Sequence, residues 1–173
     1  MAIPFYDVSV ASYLQTLGGV AGFLERGLAH CQDNGQDPDE LVGARLFDDM
    51  APLSFQIHSV SHHSIGAIRG IEAGAFAPPP KHEPTDYRGL QKTVGEAQAA
   101  LKALDPEAIN RLGDGDVIFQ IGQFKMPFTA QGFLLSFSIP NFQFHATTAY
   151  DILRSRGVPI GKRDYLGAMR LKA

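Results

Sequence analysis

The chain has 173 residues, a net charge of −3, 45% hydrophobic and 19% charged side chains, and a single cysteine, Cys31. That suits one domain, 1–173, with one sizeable core. It excludes a basic nucleic-acid face, an intrachain disulfide and a zinc site built from cysteines.

From about Asp7 to Gln32, Val10, Leu14, Leu17, Ala21, Leu24 and Leu28 recur at gaps of four and three. This is the stripe of a bundle helix. Asp7 or Ser9 is the expected cap, because a short side-chain oxygen accepts from free first-turn amides. Asn34-Gly35 supplies the turn. After a short piece, DELVGARLF, a second helix is predicted from about Asp49 to Ala73 on the stripe Met50, Leu53, Ile57, Val60, Ser64, Ala67, Ile71. FAPPPKHEP follows as an extended connector, since proline has no amide to donate.

A third helix is predicted from Thr85 to Leu104, with Tyr87, Leu90, Val94, Ala97, Leu101 and Leu104 inward and Thr85 or Asp86 as cap. DPEAIN reads as one helical turn with proline at its first position. In GDGDVIFQIGQFKMPF, Val117, Phe119 and Ile121 alternate with Ile118, Gln120 and Gly122. That period predicts a small hairpin turning at Gly122-Gln123.

The fourth helix is predicted from Thr129 to Arg156. Leu135, Phe142, His145, Ala149, Ile152 and Leu153 share its inner face. Phe133, Phe137 and Phe144 lie roughly opposite. Gly157 and Pro159 end it. The predicted fold is all-α: a four-helix bundle with a β-hairpin between helices three and four. The second face of phenylalanines needs a cover, either the hairpin or a second copy in a homodimer.

The most apolar stretch, FLLSFSIPNFQFHATTAY, is interrupted by Ser136, Ser138, Pro140 and Asn141, so it reads as a buried helix rather than a membrane span. The first residues lack a basic start with an apolar run behind it. With the lone thiol, this gives a cytoplasmic expectation.

Among polar candidates, His145 falls within the apolar stripe of helix four, and a buried imidazole needs partners. Asn141, one turn earlier, is the nearest. Pro140 lacks an N–H, which frees the Ser136 carbonyl at the same place. On helix two, His58 and His62 are one turn apart. On a regular wheel, His62 points away from the core, while His58 and His63 sit on opposite flanks. His30 precedes Cys31, but adjacent residues do not share a helix face. Arg154, Arg156, Lys162 and Arg163 interleave with Asp151 and Asp164, as on a salt-bridged surface.

PNFQFHATTAYDILRSRGVPIGKRDYLG resembles the C-terminal signature, PNFxFHxTTAYxILRxxGVPxGK, of a bacterial family of unassigned function within the DinB/YfiT-like group. DDMAPLSFQIHSVSHH resembles that family's second helix. The resemblance implies a four-helix bundle that forms homodimers. For many members of the wider group it also implies a divalent metal on three histidines, one on the second helix and two four apart on the last. By position these fall at or near His62 and on Asn141 and His145, so Asn141 stands where the pattern has a histidine.

The favoured expectation is a small ligand bound near His145, Asn141 and His62, with the metal chemistry lost and no metal ligand assigned. The alternative is a divalent-metal-dependent transferase or hydrolase using His145 and His62. The sequence names neither a cofactor nor a catalytic residue, and points to no nucleic-acid or membrane partner.

Overall fold

The structure, a computed structural model, describes residues 3–172. Its longest helix, α1, is Val10–Asp33. Val10, Leu17, Leu24 and Leu28 are buried as the stripe predicts, and Leu14 and Ala21 are half-buried. A separate turn, Phe5–Val8, precedes it. Ser9 does not cap α1. Its hydroxyl donates backward to the Phe5 carbonyl at 2.6 Å, because that preceding turn puts an acceptor closer than the forward amides.

The second rod starts at Leu53, not Asp49. Pro52 is extended and keeps Ala51 out of helical geometry, so Met50 lies outside the helix. The rod has three parts: α2 (Leu53–Ser61), a wide π turn (His62–Gly66) and α3 (Ala67–Ala73). Gly74, at φ 67°, ends it in the left-handed region that favours glycine. The chain then enters β1, Ala75–Phe76, an element the sequence pattern does not reveal.

After the proline-rich strap comes α4, Tyr87–Lys102. Asp86 caps it, accepting from the Gly89 amide at 2.7 Å. The buried Tyr87 hydroxyl donates to the Leu24 carbonyl of α1 at 2.9 Å. Pro106–Arg111 forms the predicted turn, capped by Asp105.

β2 (Asp116–Ile121) and β3 (Phe124–Thr129) make an antiparallel hairpin, with Ile121 opposite Phe124. β1 adds to β2 in parallel, so the sheet order is β1-β2-β3. Val117 and Phe119 face inward, while Ile121 is exposed.

The last rod is also interrupted. Ala130–Phe133 leads into a second π turn, Leu134–Ser138, and then α5, Ile139–Ser155. An extra residue in a turn rotates what lies upstream by about 100° relative to a regular helix. This inverts the predicted faces there: Phe133 and Leu134 are buried, and Leu135 is exposed. Downstream of the break, Phe142, Ala149, Ile152 and Leu153 are buried as predicted.

The rods pack in sequence around the core: α1 on α4, α4 on α2, α2 on α5, α5 on α1. The helical bundle predicted from periodicity fits broadly. The sheet covers Phe133 and Phe137: Phe119 lies 4.8 Å from Phe137, and Phe76 5.0 Å from Phe133, between ring centroids. Phe144 is 60% exposed, so the sheet covers only part of the second aromatic face. Among the described residues, no helix is long and apolar enough to cross a membrane.

Candidate functional site

Five of the six histidines gather where the second and last rods meet the strap. His58, His62 and His63 come from the second rod, His82 from the strap and His145 from α5. The π turn decides which of them face inward. It rotates His63 into the core, where it is 6% exposed. Its ring lies 5.9 Å from that of His145, with planes 17° apart. His62 instead turns to the strap, where its Nε2–H donates to the Ala77 carbonyl at 2.8 Å. His63 stands between His62 and His145.

Both π turns meet at Ser138. Its hydroxyl donates to the His63 carbonyl at 2.9 Å. With that proton committed, it accepts from the Tyr13 hydroxyl, also at 2.9 Å. A carbonyl displaced from the regular helical ladder is therefore satisfied by the neighbouring rod. Burial pushes the Tyr13 phenol up, which keeps it a neutral donor.

The predicted pairing of Asn141 with His145 does not form. Asn141 Nδ2 donates to the Phe137 carbonyl at 2.7 Å, one turn back, beside the ladder position that Pro140 leaves empty. His145 pairs with Gln56, a residue that sequence reasoning missed. Gln56 is 2% exposed, and its Nε2 donates to the Ala51 carbonyl at 2.9 Å. That bond turns Oε1 toward His145, whose Nδ1 lies 2.7 Å away. A carbonyl oxygen only accepts, so His145 carries its proton on Nδ1. Its Nε2 is left as a lone pair with no partner among the described residues. The signal in the sequence was a polar side chain beside the stripe position Ile57. His63 left no signal, because a regular wheel places it on a flank.

The site is neutral. Burial pulls His63 down to about 3, helped by His62 and His145, and pulls His145 down to about 4. His58, His62 and His82 are lowered as well, mainly by burial. His63 Nδ1 is buried without a partner. Phe55 packs edge-on to His145 at 5.7 Å and also lines a cleft of about 540 Å³ beneath the strap.

The metal implied by the resemblance needs converging donors. His63 and His145 form one apposed pair, and His58 and His82 another. Asn141 and His62 are turned to backbone carbonyls. Among the described residues, no three His, Cys, Asp or Glu side chains are grouped to hold an ion.

The family described as "Domain of unknown function (DUF1993)" matches residues 5–166. The chain belongs to that family. This DUF1993 protein is similar to a solved structure, the crystal structure of a DinB family member protein from Shewanella denitrificans. The two are 26% identical, with a TM-score of 0.82 over 97% of this chain and 94% of that one. The fold is therefore DinB-like. No curated protein matches.

Proposed function

We propose that this DUF1993 chain binds a small organic ligand at the face bordered by His145, Asn141 and His62, without the metal chemistry that the resemblance implies for the wider group. One observation carries this. Gln56 fixes the tautomer of His145, so a neutral imidazole presents an Nε2 lone pair beside the apolar rings of Phe55 and Phe144. A pre-set acceptor among aromatic walls suits a ligand N–H or O–H donor. Analysis of metal in the purified full chain tests the reading. The expected result is no stoichiometric metal, and an unchanged content in His145→Ala. Stoichiometric zinc or nickel that disappears in His145→Ala overturns it.

That outcome would favour the second reading, a divalent-metal-dependent transferase or hydrolase. The same tautomer supports it, since a ligating imidazole typically donates its other N–H to an oxygen. His145 and His63 would then hold the ion, with His63 in place of His62. The ion would supply Lewis acidity when bound.

The finer assignments belong to the same proposal. The block Pro140–Gly157, which contains Asn141 and His145, marks the subgroup with the C-terminal signature. Exposed Phe144 supports a homodimer, and the single unpaired thiol supports a cytoplasmic setting.

A further inference from the structure

The strap 77–85 and the start of α2 enclose the cleft of about 540 Å³, walled by Val42, Pro52, Phe55, His58, Pro79 and Pro84. Its size is in the range of small-ligand pockets. Three features inside it belong together. His82 lies flat on His58, with ring centroids 3.8 Å apart and planes 11° apart. The Nε2 atoms of both rings are cut off from solvent and have no hydrogen-bond partner. The prolines of the strap carry no amide donors, so that wall presents flat apolar faces. Buried nitrogens without partners are unfavourable. The stack is therefore held by its faces alone, at the cost of two unmet polar atoms. Burial keeps both rings neutral, so like charge does not drive them apart.

We propose that this cleft is a binding site for a planar, uncharged nitrogen heteroaromatic, and that His82 is the chain's own stand-in, covering the face of His58 until a ligand displaces it. The occupant already present shows what the cleft accepts: a flat, neutral ring containing nitrogen. A planar ligand with a ring N–H or ring nitrogen takes the same face, stacking ring on ring as His82 does, while movement of the strap opens the in-plane His58 Nε2 to water. Displaced His82 leaves with the strap and returns its own Nε2 to water. Lys81 and Glu83, the charged residues of the strap at the cleft, are exposed and do not impose a charge on the ligand. The cleft shares Phe55 with the face proposed above but is not lined by His145, so the inference goes beyond that reading.

Benzimidazole is the probe. Indane, a fused six–five bicycle of similar size without ring nitrogen, is the control. Both are titrated into the full chain at neutral pH, followed by calorimetry and by the histidine ring resonances. Benzimidazole is expected to bind more tightly than indane and to shift His58 and His82. His58→Ala is expected to abolish saturable binding. His82→Ala is expected to tighten it by about two- to tenfold, because one aromatic stack no longer competes for the face. Circular dichroism and melting check that both variants remain folded. Three results would each overturn the proposal: weaker binding in His82→Ala, as for a wall rather than a stand-in; equal binding of benzimidazole and indane; or no saturable binding in the wild type and His82→Ala alike.

Discussion

Acid should destabilise this fold, and His63 should account for a measurable share. A free histidine titrates near 6.5, whereas His63 titrates at about 3 and His145 at about 4 in the folded chain. Below the unfolded value the unfolded chain binds more protons than the folded one, so stability falls as pH falls. The loss begins near 6.5 and continues until the folded values are reached. Lowering the pH from about 7 to about 5 costs roughly 2 kcal/mol through His63 and no more than that through half-buried His145. His58, His62 and His82 act in the same direction. His63 faces His62, Phe76, Phe137 and His145, with no carboxylate among these rings to offset the effect. With a urea slope of about 2 kcal/mol per molar, the unfolding midpoint should drop by about 1–2 M over that interval. The discriminating comparison is His63→Leu, in which one of the two large contributions is gone. Its absolute stability is immaterial, because the quantity read is the change with pH. That change should be smaller than in the wild type by about 2 kcal/mol, or about 1 M. Parallel pH profiles for the two proteins would refute the burial of His63, and with it the rotation assigned to the π turn.

Two further perturbations test the packing that positions the site. Ser138→Ala removes the bond to the His63 carbonyl and leaves the buried Tyr13 hydroxyl unpaired. A loss of about 1–3 kcal/mol is expected, lowering Tm by roughly 3–10 °C in a scanning melt. Gly19→Ala drives a Cβ into the carbonyl of Tyr165, in the C-terminal turn Lys162–Leu166 that packs on α1. A loss of about 1–3 kcal/mol is expected, with faster limited proteolysis around that turn.

Periodicity carried the fold because most of the core sits on regular helix. Val10, Leu17, Leu24, Leu90, Val94 and Leu101 are buried where gaps of three and four place them. The hairpin was legible because Val117 and Phe119 alternate with outward residues and Gly122 can turn the chain at φ 57°. What the pattern could not show are departures from regularity. Phe76 belongs to a two-residue strand whose partner, Phe119, is distant in sequence. Leu135 and Phe133 exchange faces across the second π turn, and His62 and His63 change roles at the first. The site was therefore legible in its neighbourhood but not in its contacts. His145 is present, but its partner is Gln56 rather than Asn141. The nearest acceptor along the helix was not the nearest in space.

The two π turns have different origins, and the difference bears on what holds the site in place. In the last rod the break is written locally. Pro140 cannot donate to the Ser136 carbonyl, and the wide turn Leu134–Ser138, which contains Ser136, ends two residues before it. In the second rod no proline marks the break; inside His62–Gly66 the Ser64 hydroxyl donates back to the Val60 carbonyl at 2.8 Å, and both flanking residues have ordinary helical geometry. The Ser138 hydroxyl, reaching across from the other break, adds a donor for the His63 carbonyl. Without that donor, the carbonyl would lie buried at a displaced position, which is costly. The regular ladder would then be the better alternative for that segment, and it would return His63 to a flank. The irregularity encoded by Pro140 thus supplies the partner for one that the second rod does not encode alone. The apposition of His63 and His145 is a property of the packed pair of rods, not of either helix by itself.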